Sequence, residues 1–355
     1  MSSVIGNNIK LSIFGESHSE FIGITIHGLP AGIEIDHQNI LDMLALRRPD
    51  GVLTTARIEK DEYKIVSGYF NGATTGAPLT ILVPNTNTVS KDYTPEVVRP
   101  SSSDYPAYVK YNGFNDYRGS GMFSGRTTVA LVIAGAIAKQ ILAKHNIVIG
   151  SKVYSIHNIV DDETLDLTKV NEFNKMSFPT VSLEKRKQME EVILNAKANL
   201  DSVGGVIESY TLNLPVGLGE PYFDSIESVL SHLIFSIPGV KGVEFGEGFN
   251  ITKLYGSEAN DSLSYENDSV CINTNKAGGI NGGLTNGNPL VMRVAFRPTP
   301  SIAKEQKTVD LKTKETVSLN LHGRHDPCFV TRARVVVDSV VALGLLDFMS
   351  NKIGE

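Results

Sequence analysis

Ile24-Thr-Ile-His-Gly-Leu-Pro-Ala-Gly32 returns in altered form as Tyr210-Thr-Leu-Asn-Leu-Pro-Val-Gly217. Each segment reads as a strand running into a Leu-Pro-x-Gly turn. The echo fits a duplicated β–α unit, so the expected class is α+β with pseudo-symmetric halves. Outward from the first copy, residues 10–14 and 22–27 read as short strands joined by the tight connection 15–19. Asp36 is placed to cap a helix whose apolar face (Ile40, Leu41, Leu44, Leu46) ends before Pro49. Residues 50–78 are polar with scattered Gly, residues 79–83 read as a strand, and 84–115 as a long irregular stretch. Helices are expected over 126–145, 182–200 and 225–237, a strand over 290–296, and a last helix from Asp326-Pro327 to about residue 349. No Pro/Ser linker divides the chain near its middle, so one domain over 1–355 is the expectation.

Composition narrows the function. The 355 residues carry 33 Lys and Arg against 39 Asp and Glu, a net charge of −6, with 41% hydrophobic and 20% charged residues. That balance excludes a disordered chain. It also supplies no global field for nucleic acid or an anionic membrane, so an anionic ligand requires a local basic pocket. The two cysteines, Cys271 and Cys328, cannot make a disulfide framework or a four-ligand zinc site by themselves. Residues 1–15 lack the apolar core of a signal peptide, and the longest apolar run, 129–138, is about half of the roughly 20 residues that span a bilayer. A cytoplasmic setting is expected.

Four segments carry side chains suited to chemistry. Gly15-Glu16-Ser17-His18-Ser19 presents a carboxylate, a hydroxyl and an imidazole on one loop, yet lacks the Gly-x-Ser-x-Gly elbow of a serine hydrolase. It also reads as a polar loop whose Ser caps a turn. Gly119-Ser-Gly-Met-Phe-Ser-Gly-Arg126 runs into a helix, where free N–H groups and Gly let an anion approach, or where it is simply a loop with a solvated Arg. Gly278-Gly-Ile-Asn-Gly-Gly283 lacks the following helix of a dinucleotide fingerprint. Gly323-Arg324-His325-Asp326-Pro327-Cys328 brings Arg, His and Asp to a helix start, where Asp326 also reads as a cap.

Together these segments resemble the chorismate synthase family. So do Asp116-Tyr-Arg-Gly119, Leu218-Gly-Glu-Pro221, Val240-Lys-Gly-Val-Glu244 and Gly135-Ala136, in an order that spans about residues 5–350. The resemblance implies a β–α sandwich with internal duplication, usually a homotetramer. It implies a lyase that removes phosphate from 5-enolpyruvylshikimate 3-phosphate by 1,4-anti-elimination, giving chorismate, with reduced FMN as cofactor. By similarity Arg47, Arg126 and Arg324 clamp the substrate's phosphate and carboxylates. His18 serves protonation, and Ser17 with Asp326 forms a proton relay. FMN is expected against Met122, Phe123, Ser124, Pro238, Gly239, Gly282, Arg297, Pro298, Thr299, Pro300, Ser301 and Arg324. No region is left over for a flavin reductase, so an external source of reduced flavin is implied.

Departures from the family pattern cluster in that pocket. Arg99-Pro-Ser-Ser-Ser-Asp104 puts Ser102 where a second functional His is expected. Met122 and Val52 stand at positions often basic, and Ser19 replaces a Gly. An FMN- and substrate-binding paralogue with impaired catalysis is therefore the alternative. Segments 84–115 and 303–322 are the expected loops flanking the site.

Overall fold

The computed structural model describes residues 3–49, 51–55, 61–86, 93–321 and 326–353. Its first half builds β1 (Val4–Ile5), β2 (Lys10–Gly15), β3 (Phe21–His27), α1 (His37–Arg47), β4 (Lys64–Ser67), β5 (Leu79–Pro84), α2 (Asp104–Lys110) and α3 (Thr128–Lys144). Its second half builds β6 (Val148–Ile156), β7 (Ile159–Val160), α4 (Leu183–Ala198), β8 (Gly205–Leu212), α5 (Ile226–Ile234), β9 (Val240–Phe245), β10 (Leu290–Phe296) and α6 (Val330–Ile353). Two antiparallel five-stranded sheets result, ordered β1-β2-β3-β5-β4 and β9-β10-β8-β6-β7. α3 packs on the first sheet, α6 on the second, and the two helices pack on each other between them. The fold is the α+β sandwich expected from the sequence.

Residue patterns explain these layers. β3 turns Ile22, Ile24 and Ile26 inward, and β10 turns Leu290, Met292, Val294 and Phe296 inward, with the intervening residues facing outward. On the outer face of the second sheet Glu208 stands opposite both Lys152 and Arg293, and Arg293 Nε donates to Glu208 at 2.8 Å. α3 must bury two sides at once and is apolar nearly all round. Gly125–Lys144 is long and apolar enough to cross a membrane by length and composition, but 72% of that stretch is buried within the sandwich.

The duplication extends to individual hydrogen bonds. In the first half Thr74 Oγ1 donates to Pro30 O (2.6 Å) and accepts from Ile33 N (2.9 Å), while Gly32 N donates to Thr74 O (2.8 Å). In the second half Thr285 Oγ1 donates to Pro215 O (2.6 Å) and accepts from Leu218 N (2.9 Å), while Gly217 N donates to Thr285 O (2.8 Å). Each Thr ends a two-residue strand of a small hairpin, Tyr69–Phe70 with Ala73–Thr74 and Ile280–Asn281 with Leu284–Thr285. The Leu-Pro-x-Gly echo is thus one half of a turn lock, and the hairpin threonine is the other.

Several boundaries differ from expectation. The segment 84–115 contains α2, and 303–322 contains a hairpin of Gln306–Asp310 with Glu315–Leu319. The polar stretch 50–78 contains β4 and the first small hairpin. Asp326 does not cap the last helix, which begins at Val330. Its carboxylate accepts from Thr55 N (2.7 Å) and pairs with Arg332 (2.7 Å) instead. Asp36, Ser182 and Ser225 do cap their helices through side-chain oxygens.

Candidate active site

The C-terminal end of α1, the turn entering α3 and the segment entering α6 meet at one end of the sandwich. Arg47, at the last residue of α1, is only 3% exposed. Its Nη1 pairs with Asp61 at 3.1 Å, and the other Asp61 oxygen pairs with Arg126. Arg126 sits in the 3₁₀ turn Gly125–Thr127, where Ser124 Oγ accepts from Arg126 N. Arg126 Nε donates to Asn85 Oδ1 at 3.0 Å, and Asn85 Nδ2 donates to the carbonyls of Glu16 (3.1 Å) and Ser19 (2.8 Å). One amide therefore ties the Ser17-His18 loop to Arg126. On the other side Arg332 Nε donates to Arg47 O (2.8 Å) while its Nη1 holds Asp326.

The Ser17-His18 loop is fixed from several directions. Ser19 Oγ accepts from Glu16 N at 2.8 Å, so the Ser that replaces a Gly closes the loop on itself. Ser17 is buried, and its N–H donates to Gly121 O at 3.0 Å. The Tyr93 ring meets His18 edge-on, with centroids 5.5 Å apart. Burial and the nearby Asp116 carboxylate raise Glu16 above the ordinary carboxylate value, with Arg118 opposing.

Arg99 connects this loop to the expected flavin segment. Its guanidinium is bidentate on Asp104 (2.8 and 2.7 Å), reaches Ser120 Oγ (2.9 Å) and Ser301 Oγ (3.3 Å), and lies over Tyr93. Burial pushes Asp104 up, but the Arg99 hydrogen bonds outweigh it and hold the carboxyl below its usual range. Ser102 Oγ donates to Arg99 O (2.9 Å) and accepts from Asp104 N (3.1 Å), so it staples this turn. Arg297 Nη1 donates to Ser101 O (2.8 Å), and Arg297 N to Gly239 O (3.0 Å).

A family model described as chorismate synthase matches residues 9–350. The chain belongs to the chorismate synthase family. It is 42% identical over 352 residues to the chorismate synthase of Korarchaeum cryptofilum, covering 97% of this chain and 96% of that one. It is 43% identical over 354 residues to that of Methanobrevibacter smithii, covering 98% and 96%. A solved crystal structure of chorismate synthase superposes with a TM-score of 0.77 at 26% identity, over 98% of this chain and 93% of that one. Membership makes the chain a lyase that removes phosphate.

Against the family pattern, the structure brings together Ser17, His18, Arg47, Arg126 and Asp326, and beside them Ser124, Gly239, Arg297 and Ser301. Arg324 and His325 lie outside the described residues. Gly282 is not brought to this end within the chain. It occupies the hairpin turn beside Gly283, which packs on Ser225, the N-cap of α5, whereas Pro238 and Gly239 follow the far end of that helix. Val52 is 62% exposed, and its carbonyl accepts from Lys197 Nζ (2.8 Å). Cys328 is buried, its thiol pushed up to about 12, which makes it a packing residue and no nucleophile.

Sequence reasoning missed Asp61, Asn85, Tyr93 and Arg99 as site residues. Asn85 directly follows the end of β5, a position where a loop amide can reach two neighbours, and Arg99 opens the motif in which Ser102 was noticed. Asp61 carries no local signal.

The residues expected around FMN fit such a group. Phe123 and Met122 expose 40% and 46% of their surface beside the Gly119-Gly121 turn, as apolar faces for a flat ring. Among the described residues, the Thr299 hydroxyl is buried without a hydrogen-bond partner, in a segment that also carries Arg297 and Ser301.

Proposed function

We propose that the chain, as a single domain over 1–355, is an active FMN-dependent chorismate synthase. It would convert 5-enolpyruvylshikimate 3-phosphate to chorismate and phosphate by 1,4-anti-elimination. The observation that carries this reading is the hydrogen-bonded convergence of the His18 loop, Arg126, Arg47 and Asp326 at one end of the sandwich. Arg126 and Arg47 supply positive charge for the phosphate and carboxylates, a role shared by Arg324 in the family pattern. His18 assists protonation at the substrate or departing phosphate, and Ser17 and Asp326 form a proton relay beside the flavin. When bound against Phe123, Ser124 and the Arg297–Ser301 segment, reduced FMN supplies transient electron density that eases loss of phosphate.

The reading includes a cytoplasmic homotetramer fed by an external flavin reductant, with no nucleic-acid or membrane partner. Because Gly282 is remote from the flavin residues within one chain, its part in flavin binding requires a second copy, which accords with a tetramer.

Ser102 favours a second reading, a paralogue that binds FMN and substrate but eliminates poorly. Phosphate release from the enolpyruvyl substrate, measured anaerobically with dithionite-reduced FMN, separates the two. A folded protein that binds FMN yet releases no phosphate above background sinks the first reading. In the same assay Ser102→His is expected to raise turnover about 100-fold, the low side of what a placed acid–base group contributes. The change gives up the turn staple, at a cost of about 1 kcal/mol in stability. An unchanged turnover assigns the work of the missing His to another group.

A further inference from the structure

Asp61 joins the two arginines of the proposed anion clamp. Its side chain is fully enclosed, and each of its oxygens takes a different guanidinium, Arg47 from the end of α1 and Arg126 from the start of α3. Its backbone is in the left-handed region at φ 49°, a conformation that disfavours a non-Gly residue and so is held by its surroundings. The two arginines have other protein partners. Arg47 Nε donates to Thr128 Oγ1 (3.3 Å) and its Nη2 to the carbonyls of Gly125 (3.4 Å) and Arg126 (3.3 Å), while Arg126 Nε donates to Asn85. These contacts are to a hydroxyl, carbonyls and an amide, whereas Asp61 brings a carboxylate shared by both guanidiniums.

A carboxylate in this position has two separable consequences. It fixes which edge of each guanidinium turns inward, which sets the direction from which an anion is met. It also offsets part of the local positive charge, weakening the hold on any phosphate. We propose that Asp61 is a positioning residue of the phosphate site, orienting Arg126 and Arg47 and limiting their combined attraction so that inorganic phosphate leaves after elimination. The inference rests on the proposed role of these arginines as the substrate clamp.

The two consequences pull binding and turnover in opposite directions, and a purely structural role would not. Asp61→Asn keeps the shape and removes the charge. It is expected to tighten inorganic phosphate about tenfold, by equilibrium dialysis against the full chain or as product inhibition. It is also expected to lower kcat about tenfold in the anaerobic phosphate-release assay, because the guanidiniums lose their common anchor. Circular dichroism and thermal unfolding establish that the variant is folded, and Asp61→Ser replaces it if it is not. Phosphate affinity unchanged or weakened, kcat unchanged, or loss of fold in both variants overturns the proposal. Arg126→Gln separates this from the underlying reading. If the wild-type chain turns over but Arg126→Gln leaves phosphate affinity intact, the clamp assignment fails, whatever Asp61 does.

Discussion

Gly119→Ala is expected to lower turnover about 100-fold, the scale at which an ångström of displacement in a reacting group is felt. Gly119, Ser120 and Gly121 form three successive residues at positive φ (57°, 70° and 52°), a winding that turns the chain back beneath the Ser17-His18 loop. A Cβ on Gly119 would lie 2.5 Å from Ser17 Oγ, 2.8 Å from His18 Cε1 and 2.9 Å from His18 Nδ1. All three atoms belong to the residues proposed to move protons, so the added methyl must displace one of them or unwind the turn. Ser120 is already strained there, holding its hydroxyl to Arg99, and unwinding would release that contact as well. Stability should fall by only about 1 kcal/mol, the ordinary penalty of Ala at positive φ, because the turn lies outside the core. The check is kcat against unfolding midpoint: activity within about threefold of wild type would mean that the proton-handling groups lie elsewhere.

That tight packing shows what the sequence could and could not disclose. Strands with one face in the core announced themselves by alternation, and β10 was legible to the residue because Leu290, Met292, Val294 and Phe296 all point one way. The start of α1 was equally plain, since Asp36 acts on N–H groups two and three residues along. β4 and the small hairpin in 50–78 were not legible. Short strands on a half-exposed edge have no clear period, and Thr74 acquires its meaning only when Pro30 and Ile33 arrive.

The site divides in the same way. Ser17, His18, Arg126 and Asp326 stood in recognisable motifs, but the groups that orient them come from segments distant in the chain. Asp61 lies between polar neighbours and is defined only by two arginines 14 and 65 positions away. Asp326 was read as a helix cap because Asp-Pro is a common helix start. The intervening pull of Thr55 N and Arg332 delays the helix to Val330. Net charge could not disclose the site either, because Arg47 and Arg126 come from distant segments and converge only on folding.

Gly135→Val is expected to cost about 4 kcal/mol of stability, above the usual range for an overpacked core. Gly135 lies where α3 crosses α6, and an added Cβ would overlap the Cα and Cβ of Ser339 and come within 2.7 Å of its Oγ. Ser339 cannot yield by changing rotamer, because the overlap involves its backbone. It is fully buried, and its hydroxyl donates to Val335 O at 2.7 Å. The helices must therefore part, and each is also pinned to a sheet, so the disturbance reaches both halves of the sandwich. Gly344→Ala, on α6, is the control. There a Cβ would meet only the ends of Leu230 and Leu233, at 2.8 Å each, which flexible side chains can relieve. The better helix propensity of Ala then offsets about 1 kcal/mol of that crowding. Urea unfolding of the two variants should give a large loss for the first and a change within about 1 kcal/mol for the second. Equal losses would mean that the close approach of α3 and α6 at Gly135 does not set the spacing of the two sheets.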